Sequence, residues 1–236
     1  MRHTTPLWRR CAPIWAALCV CSCLTAWTTG SVLASCTPPT GRGTSDPNQY
    51  WTSGSGSETG VSSDITQYDP YVSNVDQTGT NMSVLLVNGN SWVQAGWIKW
   101  SFYNHGTLIR QSYSEFEPGY NYWMQPARPV GELTAYEILY TAGSPNSYAA
   151  YVHGTLGPTW HGNWVPNQYQ VLAETHSARD QAPGGYNNHA YFYYSEYRTG
   201  STWHEATQAM GTTIAWFGHS HPTSHENDIW DTSCAS

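Results

Sequence analysis

Two polar side chains stand in the middle of otherwise apolar stretches. In SWVQAGWIKW, residues 91–100, Gln94 is set among three tryptophans, a valine and an isoleucine. In QYQVLAETHS, residues 168–177, Glu174 follows Val171, Leu172 and Ala173. Read as extended strands, the first places Trp92, Gln94, Gly96, Ile98 and Trp100 on one face and Ser91, Val93, Ala95, Trp97 and Lys99 on the other. Val93, Ala95 and Trp97 suit the narrow space between two sheets, so Gln94 belongs to an outer face, framed by tryptophans as in a binding groove. In the second strand Val171, Ala173 and Thr175 share one face, and Gln170, Leu172, Glu174 and His176 the other. Any burial of Glu174 there raises its pKa. A carboxylate so tuned can take a proton from water attacking a carbonyl and return it to the leaving amine. A neutral amide on a nearby strand can donate N–H to the developing oxyanion without itself titrating. In that chemistry Glu174 is general base and acid, Gln94 is oxyanion donor and water orienter, and Trp92, Trp100 and His176 line the substrate cleft. The pair need not share a proton as two carboxylates do.

Other groupings carry less. FGHSHPTSHEND, residues 217–228, holds His219, His221 and His225 near Glu226 and Asp228. His-x-His is a metal-binding spacing, but the segment lacks the Asp-His continuation of metallo-hydrolases and reads as a polar surface tail; no metal and no cofactor is expected. Glu115 and Glu117 share one face of SYSEFEPG, residues 112–119. They have the composition of a glycosidase pair and read as an exposed strand edge. Thirteen tryptophans and seventeen tyrosines also suit stacking on sugar rings. No Ser-His-Asp, Cys-His or phosphate-loop pattern stands out.

The elements that must hold these residues are strands. From about residue 64 short aromatic and β-branched runs alternate with turn residues, at 82–87, 91–101, 107–117, 132–141, 148–154, 168–177, 189–198, 202–207 and 212–217. No long segment keeps a helical period, so the pattern predicts an all-β, antiparallel sandwich or barrel. Before it, residues 36–63 are rich in Ser, Gly, Thr and Pro and read as a linker. The expected organisation is a signal peptide over 1–35, this linker, and one β domain over 64–236.

WVQAGW (92–97), followed by LAETHSARDQAPGG (172–185), resembles the paired motifs of the glutamic peptidases. That superfamily includes the fungal eqolisins, with a Gln and Glu dyad, and the neprosin-like enzymes, with two glutamates. The resemblance implies a concanavalin-like β-sandwich of the jelly-roll type, with Gln94 and Glu174 at the two dyad positions. It further implies an endopeptidase working on peptide or protein substrates, favoured by acid. The alternatives are a lectin-like module that binds polysaccharide through its tryptophans, and a structural lipoprotein of the cell envelope.

Charge and cysteines bound the setting. From residue 37 onward six basic residues stand against the sixteen acidic ones, a formal balance of −10. Such a surface does not fit nucleic acid, whose phosphates require basic groups. Arg2, Arg9 and Arg10, the apolar run from Cys11 to Trp27 and SVLASC have the form of an export signal. Cutting after Ala34 would release a secreted protein in which Cys36 and Cys234 can pair. Leu33-Ala34-Ser35-Cys36 also fits a lipoprotein box, in which a lipid on Cys36 would attach the protein to a membrane and leave Cys234 alone.

Overall fold

An alternating strand exposes half of its apolar side chains to water unless a second layer covers them, and this chain supplies two layers. A computed structural model describes residues 36–39, 48–53, 56–73, 78–101, 107–206, 210–212 and 216–234. The described residues form strands and no helix. A seven-stranded sheet runs in the order β13 (Met210–Thr212), β1 (Asn48–Ser53), β10 (Gln168–Thr175), β3 (Gly79–Asn88), β4 (Ser91–Trp100), β5 (Ile109–Glu117) and β6 (Asn121–Pro126). An eight-stranded sheet runs β14 (Phe217–Thr223), β15 (Glu226–Asp231), β11 (Ala190–Thr199), β2 (Glu58–Thr66), β7 (Leu133–Thr141), β8 (Asn146–Val152) and β9 (Thr155–Gly162), with β12 (Thr202–Glu205) beside β11. Each pairing is antiparallel, and the result is the β-sandwich expected of the sequence.

The core lies between the sheets. Val93, Ala95 and Trp97 of β4, with Met82, Val84 and Leu86 of β3 and Val171 and Ala173 of β10, face Val61, Ile65, Tyr136, Ile138, Tyr148 and Phe192 across it. The Trp97 ring is fully buried, and its Nε1 donates to the Thr66 carbonyl at 2.9 Å, so the one polar atom of the largest core side chain is satisfied. The alternation in SWVQAGWIKW therefore has the expected phase: odd residues inward, Gln94 outward.

The sequence expectations fail at several elements, each for a physical reason. The segment 36–63, expected as a linker, supplies β1 and the start of β2, and β2 lies between β11 and β7 in the interior of its sheet. Its small hydroxylated residues gave no apolar run, yet they fit a crowded position where Ser63 Oγ meets Ser195 Oγ of β11 at 2.9 Å. Pro158 and Gly157 suggested a turn where β9 forms, an edge strand on which a proline is tolerated. The polar tail expected at 217–228 is the hairpin β14–β15, whose buried residues Asn227, Ile229 and Asp231 alternate with the partly exposed Glu226, Asp228 and Trp230. The strand expected at 212–217 is divided between β13 and β14. Residues 1–35, read as the export signal, lie outside the described residues.

Cys36 and Cys234 form a disulfide, with Cα atoms 5.8 Å apart and a sequence separation of 198. The bond uses the sulfur that lipidation of Cys36 would require.

Candidate active site on the outer face

Register decides which side chains can meet. On β4, Gln94 pairs with Leu85 of β3 on one side and Glu115 of β5 on the other. Leu85 pairs in turn with Gln170 of β10, and Glu115 with Tyr122 of β6. Gln170, Leu85, Gln94, Glu115 and Tyr122 thus form one row across five strands. The next row on the same face reads Leu172, Ser83, Gly96, Tyr113 and Met124, and the one after it Glu174, Asn81, Ile98 and Gln111. Gln94 and Glu174 therefore share the outer face, with β3 between their strands and their positions two rows apart. The direct carboxylate neighbour of Gln94 is Glu115, at the roughly 5 Å Cβ separation of a cross-strand pair.

The polar residues of this face are buried rather than solvated. Gln94 is 6% exposed, Glu115 8%, and Asn81 and Tyr113 1% each. Ile98, Trp100 and Tyr113 form an apolar floor, flanked by Tyr122 and Met124. The Trp100 and Tyr122 rings lie 5.5 Å apart, so Trp100 is packed into this floor, whereas Trp92, opposite Glu117, is half-buried near the end of its strand. Polar groups are bonded to one another. Gln94 Nε2 donates to Ser83 Oγ at 2.6 Å, and Asn81 Nδ2 donates to the Tyr113 hydroxyl at 3.1 Å. Tyr113 belongs to β5 and Asn81 to β3, so the ring reaches across β4 at Gly96, which carries no side chain to obstruct it. Asn81 Oδ1 is buried and has no partner among the described residues.

Electrostatics single out one acid. Burial pushes the Glu115 carboxyl up to about 7; a hydrogen bond from Tyr122 works against that rise and the nearby charge of Glu117 adds to it. Glu174 and His176 are close enough for their charges to be felt there too. The Tyr113 hydroxyl is held well above its ordinary range by burial and by the charge of Glu115. Glu174 is the more open carboxylate, its side chain 26% exposed and its Oε2 3.7 Å from His176 Nε2.

Solved structures supply the comparison. Scytalidoglutamic peptidase with a peptide-based transition-state analogue aligns with the chain at a TM-score of 0.54 and 8% identity, over 81% of this chain and 100% of that one. The same peptidase with a transition-state analogue inhibitor aligns at 0.51 and 10% identity, with the same coverage. The fold is glutamic-peptidase-like. No family model matches the chain, and no curated protein matches it by sequence. At such identities the likeness is one of fold, and the outer face is read from its own geometry.

Within this glutamic-peptidase-like fold the two motif residues Gln94 and Glu174 lie on one outer face, and Glu115 is a correction to the sequence reading. Expected at an exposed edge, it is buried beside Gln94. The alternation of SYSEFEPG does place Tyr113, Glu115 and Glu117 on one face, which is the signal that pointed there. The histidines of 217–228 take separate partners: His225 Nδ1 is 2.7 Å from Glu205, and Asp228 pairs with His189 at 2.9 Å. Among the described residues no three His, Cys, Asp or Glu side chains gather as metal ligands would.

Proposed function

We propose that the protein is an exported, glutamic-peptidase-like endopeptidase that hydrolyses peptide bonds on the outer face of the seven-stranded sheet. The observation that carries this reading is Gln94, a buried neutral amide set among glutamates on a face that, among the described residues, no second sheet covers. One of its two N–H protons goes to Ser83 and the other is available to an oxyanion. A glutamate of the same face moves the proton from water to the leaving amine; the sequence motif nominates Glu174 and an acidic working range. The apolar floor of Ile98, Trp100 and Tyr113 takes substrate side chains, with Trp92 and His176 at its margins. Export agrees with a disulfide, which persists in oxidising compartments. The lectin-like alternative requires Trp92 and Trp100 as an open platform, and Trp100 is packed under its neighbours.

The test is cleavage of an unfolded protein substrate between about pH 2 and pH 8 by the wild type and by Gln94→Ala. We expect cleavage by the wild type, reduced about 100-fold or more in the variant, the size of a lost oxyanion donor. A folded wild type that cleaves nothing across that range would remove the peptidase reading.

A further inference from the structure

The peptidase reading leaves open which glutamate moves the proton, and the geometry separates the two candidates. Glu115 is the only carboxylate in the row of Gln94 and adjoins it directly, whereas Glu174 lies two rows along with β3 intervening. A water held by the amide of Gln94 is therefore within reach of Glu115. The Glu115 carboxyl is also oriented: Tyr122, its cross-strand neighbour on β6, hydrogen-bonds to it. Glu174 faces His176 at 3.7 Å and is partly open to solvent. Resting on the peptidase reading, we infer that Glu115, and not the motif residue Glu174, is the catalytic general base and acid of the outer face.

The step balances with water as the only co-reactant. Charged Glu115 takes a proton from the water held against Gln94, while the water oxygen bonds to the peptide carbonyl carbon. The carbonyl oxygen takes up the negative charge and accepts the free Gln94 N–H. On collapse the carbonyl double bond re-forms, the C–N bond breaks, and the proton on Glu115 passes to the departing nitrogen. A carboxylic acid and an amine leave, and Glu115 is again charged.

The assignment reverses the pH dependence that the motif implies. The titratable groups facing Glu115 are Glu117 on its own strand, Tyr122 on β6, Tyr113, and Glu174 and His176 from the β10 side. Burial outweighs them and places the carboxyl at about 7. A base must be unprotonated, so kcat/KM rises as pH increases from 5 and levels above about 7.

The experiment compares the wild type, Glu115→Gln and Glu174→Gln on a fluorogenic peptide between about pH 3 and pH 9, with circular dichroism confirming that each folds. We expect Glu115→Gln to lose about 10²–10⁴-fold in kcat/KM, far more than Glu174→Gln loses, and the wild type to show its rising limb near neutrality. Carbon-13 labelling of the glutamate carboxyls, followed by NMR, should show one carboxyl titrating near that limb and missing in Glu115→Gln. Cleavage that survives Glu115→Gln and is lost in Glu174→Gln overturns this inference and leaves the peptidase reading intact. An activity limb well below pH 6 overturns it as well, and a wild type that cleaves nothing removes both. If Glu115→Gln does not fold, the wild-type limb and the carboxyl titration decide.

Discussion

A carboxyl held near 7 has a consequence for folding that is independent of any catalysis. In the unfolded chain Glu115 titrates near its ordinary 4.5, and in the native state burial keeps its proton up to about 7. Between those values the native state binds more protons than the unfolded one, so stability falls as pH rises through the window. The contribution is complete below about 4.5 and lost above about 7, and the span is on the order of 3 kcal/mol. Burial likewise raises Asp180, despite its bonds from Ser73 and Gly79, and adds in the same direction. Denaturant unfolding at pH 4.5, 5.5, 6.5 and 7.5 should show the wild type weakening steadily while Glu115→Gln flattens; parallel slopes would contradict the burial argument. This residue shows how far sequence reaches. Alternation assigned it a face, but its depth depends on what stands opposite. That is set by the β4–β5 register, and the residues between the two strands, 101–108, are too many for a standard hairpin turn to dictate it.

The β3–β4 hairpin is the contrary case, with a register that the sequence does dictate. Gly89 has φ +58° and Asn90 follows it, a two-residue turn after which pairing runs unbroken from Asn88 with Ser91 to Gly79 with Trp100. Ser83 is thereby set opposite Gly96 and Leu85 opposite Gln94, all readable from NGN between two apolar runs. Gly96 has a reason beyond the turn. A Cβ there would stand 2.0 Å from the Met82 carbonyl oxygen and 2.7 Å from the Ser83 Cα, backbone atoms that cannot step aside. Gly96→Ala should therefore separate β3 from β4 and destabilise by about 1–3 kcal/mol or more, seen as a lower denaturation midpoint. It should also disturb the Tyr113–Asn81 bond that crosses this position; an unchanged midpoint would mean that the strands have slack. Strand β2 was illegible for the opposite reason. Small polar side chains suit narrow places between neighbours, and propensity registers what fills space better than what fits it.

The whole molecule was legible as a class and not as a topology. Short alternating runs with frequent turns require paired sheets, but that β10 lies beside β3, and β2 between β11 and β7, is settled by contacts distant in the chain, which periodicity does not encode. The cysteines were readable by parity. Closing a loop of this length should contribute roughly 2–4 kcal/mol. The double variant Cys36→Ser/Cys234→Ser should accordingly melt about 5–15 °C lower for a chain of this size, measured by thermal unfolding against the oxidised wild type; an equal Tm would mean that the ends are held by Gln181 and its neighbours alone. The same bond turns residues 36–234 into a closed circle, and a circle cut once remains one object. A nick by a protease at the exposed turn of His153 and Gly154 would leave both halves joined through sulfur. On a gel without reductant such a molecule keeps its full mass, and only thiol reveals that its backbone has been broken.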